Sequence, residues 1–147
     1  MRRDHSVLVV EDNRDDVLFI RRALTKAGID CHVTVVGDGD AAVDYVEGRG
    51  AYADRGRHPL PALVLLDLKL PRRSGLEVLE ALKSHAMRGR MIIVVLTGSR
   101  ESVDVERAYA AGANSYLVKP ISPQAMSELV QALGLYWLVK NEPSPHG

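Results

Sequence analysis

Five polar residues each follow a short apolar run. Glu11 and Asp12 follow Val7-Leu8-Val9-Val10, Asp67 follows Leu63-Val64-Leu65-Leu66, Thr97 ends the run 91–96, and Lys119 follows Ser115-Tyr116-Leu117-Val118. Unbroken apolar runs of this length suit strands buried on both faces of a parallel sheet. Ligands of open α/β sheets collect beyond the carboxyl ends of the strands. All five residues are therefore expected on one rim. Three carboxylates gathered there repel: at roughly 5 Å and an effective dielectric of about 20, each pair costs about 3 kcal/mol. A hard divalent ion offsets that cost, and Mg²⁺ prefers one or two carboxylates completed by water and phosphate oxygens. Asp67 then reads as a nucleophile able to form an aspartyl phosphate. Lys119 and the ion would neutralise the transferring oxygens, and Thr97 would donate a hydrogen bond to one of them. Each residue also has an ordinary reading: Asp12 or Thr97 as a helix cap, Asp67 as a turn residue, Lys119 as a solvated lysine. Their joint placement favours a site.

The elements that must position them alternate. A helix follows the first strand, capped by Asp12 or Asn13, with Val17, Ile20, Leu24 and Ala27 on one face and Gly28 as its stop. A short strand over 33–36 leads into a helix opened by Asp38 and Asp40. Ser74-Gly75 opens a helix burying Leu76, Leu79, Leu82 and Ala86. Another, from about Glu101, carries Val105, Ala108 and Tyr109 to Gly112. Ser122 caps the last helix with Pro123 at its first position, and Met126, Leu129, Val130, Leu133 and Trp137 form its apolar stripe. The segment 48–61, rich in Gly, Arg and Pro, reads mostly as a loop, and its length makes it a candidate for function or mobility. Five strand–helix units predict a doubly wound five-stranded parallel sheet of order 2-1-3-4-5, helices on both faces.

The 147 residues suit one domain, with a core over about 6–138 and a flexible tail over 139–147. Lys plus Arg and Asp plus Glu each number 19, so nothing in the charge draws the chain to nucleic acid or an anionic membrane. Cys31 is the single cysteine, which precludes an internal disulfide and favours a cytoplasmic setting. Arg2-Arg3 precedes an apolar run too short for a signal peptide or a membrane span. Tyr116, three residues before Lys119, is placed to exchange between exposed and buried positions as Thr97 moves.

Val9-Val10-Glu11-Asp12-Asn13, Leu66-Asp67-Leu68-Lys69-Leu70-Pro71, Val95-Leu96-Thr97 and Gly112-Ala113-Asn114-Ser115-Tyr116-Leu117-Val118-Lys119-Pro120 together resemble the receiver domain of two-component response regulators. The resemblance implies a flavodoxin-like fold and phosphotransfer from a histidine kinase to Asp67. It implies Mg²⁺ held by Asp12, Asp67 and the backbone carbonyl of Lys69, with Glu11 acting through water. It makes Thr97 and Tyr116 switch residues, Lys119 the phosphate-pairing cation and Pro120 a cis proline. No output domain follows, as in a stand-alone receiver: a signalling phosphoacceptor rather than an enzyme, with at most self-catalysed phosphotransfer and autodephosphorylation, acting on a further downstream target. The 48–61 segment and a last helix ending in Tyr136-Trp137-Leu138 resemble a narrower group, the single-domain regulators that partner bacterial phytochrome kinases. That likeness implies a homodimer through the last helix and strand. Gly98-Ser99 departs from the common pattern after the switch threonine, which bears on the hydrolysis of the acyl phosphate.

Three other classes compete. A Mg²⁺-dependent phosphatase with an aspartyl nucleophile commonly needs an acid two residues on, where this chain has Lys69. An interaction module that is never phosphorylated has no need of all five residues. A flavin carrier needs a phosphate-cradling glycine loop, whereas Glu11-Asp12-Asn13-Arg14-Asp15-Asp16 is acidic.

Overall fold

The computed structural model describes residues 6–142. Arg2-Arg3 and the 143–147 portion of the tail expected to fray lie outside the described residues. The chain runs β1 (Ser6–Val10), α1 (Arg14–Lys26), β2 (His32–Val36), α2 (Gly39–Glu47), β3 (Leu63–Leu66), α3 (Gly75–Leu82), β4 (Ile92–Thr97), α4 (Ser102–Ala110), β5 (Ser115–Val118) and α5 (Pro123–Gly134). The last helix continues through a π-helical turn, Leu135–Lys140. The five strands form one sheet of order β2-β1-β3-β4-β5, every pairing parallel. This is the doubly wound order anticipated from the alternation of elements.

Side chains of a strand alternate between faces, and here both faces are covered. Leu8, Val10, Val64, Leu66, Ile93 and Val95 pack with Ala42, Val43, Val46, Val78, Leu79 and Leu82 on the side of α2 and α3. Val7, Val9, Leu63, Leu65, Val94 and Leu96 pack with Ile20, Leu24, Met126, Val130 and Leu133 on the side of α1 and α5. This double coverage explains why the central strands read as unbroken apolar runs. Each fully buried aliphatic side chain contributes on the order of 2 kcal/mol, so the sheet is the rigid part of the molecule.

Three helix starts are closed by side chains: Asn13 Oδ1 accepts from Asp16 N, Asp38 Oδ1 from Ala41 N and Ser122 Oγ from Ala125 N. Ser74 and Glu77 make a reciprocal capping box at α3. Behind it Gly75 meets the end of β3 so closely that a Cβ would lie 2.3 Å from the Asp67 carbonyl oxygen. Only glycine permits α3 to begin directly against Asp67.

Two expectations are corrected. Helix α3 ends at Leu82 and Ala86 is exposed, because a turn at 83–86 leads into a 3₁₀ turn at Arg88–Arg90. The 48–61 segment is mostly loop, as expected, with one 3₁₀ turn, Gly50–Tyr52, and it is tied to α2. The Arg55 guanidinium donates to the carbonyls of Tyr45, Val46 and His58, and Tyr45 Oη donates to the Pro59 carbonyl. The rings of Tyr45, Tyr52 and His58 cluster beside it, His58 edge-on to both tyrosines and the two tyrosines tilted against each other. No peptide bond among the described residues is cis, so Lys119–Pro120 is trans. The isomers of such a bond differ by only about 0.5–1 kcal/mol in favour of trans, and Ile121, next along the chain, is fully exposed and imposes no packing on it.

Candidate functional site

The functional side chains stand just past the strands because the ladder runs one residue further than the sheet's regular pairing. Glu11 N donates to the Val36 carbonyl at 3.0 Å, Asp67 N to Val10 at 3.1 Å and Lys119 N to Thr97 at 2.7 Å. Three residues far apart in sequence are thereby pinned at the same carboxyl edge of the sheet, Glu11 and Asp67 at the switch point between β1 and β3 where the strand order reverses.

Their side chains converge. Carboxylate oxygens of Glu11, Asp12 and Asp67 lie within 4.8 Å of one another, an arrangement able to hold a divalent metal ion. Glu11 and Asp67 are buried and Asp12 is exposed, so the cluster opens to solvent on one side. Thr97 Oγ1, itself fully buried, donates to Asp67 Oδ1 at 2.7 Å. The Lys69 N–H reaches the same oxygen at 3.3 Å. The Lys119 ammonium donates to Glu11 Oε1 at 2.6 Å, Asp16 Oδ2 at 2.8 Å and Asp67 Oδ2 at 3.0 Å. Its side chain is only 14% exposed, so the reading of Lys119 as a solvated surface lysine fails.

The loop bearing Lys69 is braced on α2. Gly39 N donates to the Pro71 carbonyl at 3.3 Å, and Arg73 Nε pairs with Asp40 Oδ1 at 3.1 Å. Arg72 between them sits at φ 68°, a left-handed backbone uncommon for a residue with a side chain. On the other flank Tyr116 is half-buried, and its hydroxyl donates to the Ser99 carbonyl at 2.9 Å, two residues past Thr97. Ser99 Oγ in turn donates to Asp104 Oδ2 at 2.6 Å. The serine that departs from the common pattern is thus the link between Tyr116 and α4.

Two charges are displaced from their ordinary behaviour. Burial pushes the Glu11 carboxyl up to about 7; the Lys119 hydrogen bond opposes that and the Asp67 charge adds to it. Burial pulls the Lys119 ammonium down, but the hydrogen bonds to Asp16, Glu11 and Asp67 outweigh it, and the net displacement is upward. Lys119 is therefore firmly cationic, and the acids around it outnumber it.

Sequence reasoning gathered Glu11, Asp12, Asp67, Thr97 and Lys119, and the structure brings these five together. It missed Asp16. The signal was present, an acid in the first turn of α1, but acids there are common because they complement the helix dipole. The aim of its carboxylate at Lys119 depends on α1 lying beside β5's exit, which one-dimensional spacing does not reveal.

Residues 7–131 match the sequence profile described as the response regulator receiver domain. The chain is 38% identical over 140 residues to the probable methanogenesis regulatory protein FilR2 of Methanothrix harundinacea, covering 95% of this chain and 88% of that protein. It is 34% identical over 132 residues to response regulator Rcp1 of Synechocystis, covering 90% and 88%. A crystal structure of Rcp1 in a Mn²⁺-bound form superposes with a TM-score of 0.87 at 32% identity over 95% of this chain and 99% of that one. The phosphorylated cyanobacterial phytochrome response regulator RcpA superposes with a TM-score of 0.89 at 32% identity, over 95% and 97%.

The displaced Glu11 carboxyl fixes a pH dependence. Between its ordinary 4.5 and about 7 the folded protein keeps a proton that the unfolded chain has released, so Glu11 makes stability fall as pH rises through that window. Glu11→Gln removes this term. In urea unfolding without divalent ions, the variant's stability relative to the parent is expected to rise by on the order of 2 kcal/mol between pH 5 and pH 8. A difference independent of pH contradicts the assignment.

Proposed function

We propose that this chain, which belongs to the response regulator receiver family, takes up a phosphoryl group on Asp67 and uses it to change its binding surface. Its place as a phosphoacceptor in two-component signalling follows from that membership; the acceptor residue and the roles of its neighbours are the reading advanced here. The observation that carries it is the set of contacts on one carboxylate. Asp67 has Thr97 and Lys69 N on one oxygen, Lys119 on the other, and Glu11 and Asp12 alongside.

The donor is the phosphohistidine of a histidine kinase. An Asp67 carboxylate oxygen bonds to phosphorus as the phosphorus–nitrogen bond breaks, and the electron pair stays with the imidazole of the kinase. Lys119 pairs with the negative oxygens in transit and Thr97 donates to one of them. Asp12, Asp67 and the carbonyl of Lys69 would hold Mg²⁺, with Glu11 acting through water; an all-oxygen donor set suits that hard ion. When bound, the ion supplies positive charge against the phosphoryl oxygens. The Mn²⁺-bound form of Rcp1 is consistent with a divalent site in a related chain.

A phosphoryl group on Asp67 adds negative charge and acceptor oxygens where Thr97 already points. Drawing Thr97 further moves the β4–α4 loop, and Tyr116, tied to Ser99 in that loop, moves with it. Thr97 and Tyr116 thus act as the switch, and α4 with β5 forms the surface that changes. The chain signals rather than turning over a separate substrate, and acts in the cytoplasm. No helix among the described residues is long and apolar enough to cross a membrane.

The likeness to the phytochrome regulator RcpA supports a bacteriophytochrome as the kinase. A homodimer through the end of α5 is supported by the last turn, where Leu135, Tyr136 and Val139 are 38%, 55% and 50% exposed. Trp137 divides from its neighbour: it packs against the core beneath, with the Tyr136 ring edge-on at 4.8 Å.

Asp67→Asn is expected to abolish ³²P uptake from a phosphorylated histidine kinase, while Asp15→Asn, altering an exposed acid on α1, leaves it intact. Label retained by Asp67→Asn displaces Asp67 as the acceptor. For the dimer, Tyr136→Ser with Val139→Ser is expected to shift sedimentation velocity towards monomer by about tenfold or more in dissociation constant, the loss of two apolar contacts per subunit. Unchanged sedimentation removes that interface.

A further inference from the structure

Asp16 has no role in the proposed phosphotransfer, yet it holds Lys119, the cationic side chain at Asp67. A lysine has three N–H donors, and Lys119 places them on Glu11, Asp16 and Asp67, at 2.6, 2.8 and 3.0 Å. None is left over for a phosphoryl oxygen. Glu11 and Asp67 approach from the ends of β1 and β3, whereas Asp16 reaches across from the first turn of α1, with 22% of its side chain exposed. Asp16 is not needed to cap that helix, which Asn13 does. Its carboxylate is free to be committed to Lys119.

We propose that Asp16 is a positioning residue that keeps one Lys119 donor away from the acceptor carboxylate, so that phosphoryl transfer to Asp67 must first break the Asp16–Lys119 pair. This inference rests on Asp67 being the acceptor. Two physical effects follow from removing the Asp16 charge, and they act in the same direction. Lys119 surrenders a neutral partner more readily than a carboxylate. The pocket also presents one negative charge fewer to the incoming phosphoryl dianion. Both accelerate transfer. A residue that merely propped the lysine in place would slow transfer when replaced.

The test uses the full chain with Mg²⁺ and acetyl phosphate, a donor that needs no kinase. An Asp67 oxygen bonds to phosphorus, the phosphorus–oxygen bond of the donor breaks, and acetate leaves with the electron pair. Uptake is followed by intact-mass spectrometry at low and high salt. Asp16→Asn and Asp16→Ala are expected to phosphorylate about threefold to tenfold faster than the parent, the order expected for one partly screened charge. The gain is expected to shrink as salt is raised, and Asp16→Glu to return the rate to that of the parent. Equal or slower uptake in Asp16→Asn and Asp16→Ala, with the parent labelled on Asp67, overturns the role of Asp16 while leaving the acceptor in place. A parent that takes no label, or an Asp67→Asn variant that does, overturns the acceptor and the Asp16 proposal with it.

Discussion

One ammonium lies among carboxylates that outnumber it. Lys119 touches Glu11, Asp16 and Asp67, and Asp12 stands beside them at the same rim. Lys119 bonds three of these acids, yet burial, with the Asp67 charge adding to it, still leaves Glu11 holding its proton towards neutral pH. Such a pocket is stable only if the scaffold forces it. The force comes from burial of about a dozen aliphatic side chains on the two faces of the sheet, each on the order of 2 kcal/mol.

The same rigidity makes the site useful. Glu11, Asp67 and Lys119 are each fixed by a backbone hydrogen bond to the neighbouring strand, so their spacing does not relax when charge arrives. What can relax lies at the margin. Thr97 ends β4, Ser99 sits in the loop beyond it, and Tyr116 is attached to that loop by a single hydroxyl. On the proposed reading, a negative group on Asp67 has a stiff side, β1 and β3, and a yielding side, the β4–α4 loop that carries Ser99.

Much of this was legible in the sequence. The central strands announced themselves because burial on both faces demands unbroken apolar runs, and their order followed from alternation with helices. The rim residues were legible because each stands directly after such a run. Asp16 was not, because a helix-dipole role hides an acid in a first turn equally well. Ala86 was misplaced because helical periodicity gives a face but not an end. The 48–61 segment lacked any period, since Arg55 and the Tyr45–Tyr52–His58 ring cluster hold it by side chains rather than by repeating backbone bonds.

This rim carries more negative charge than its lysine can balance, an imbalance that a divalent cation would relieve. Calorimetric titration of the chain with Mg²⁺ near neutral pH tests it most directly. Weak binding at one site is expected, lost when Asp12 and Asp67 are both replaced by asparagine. No heat of binding in the parent, or binding untouched by that double replacement, would contradict it.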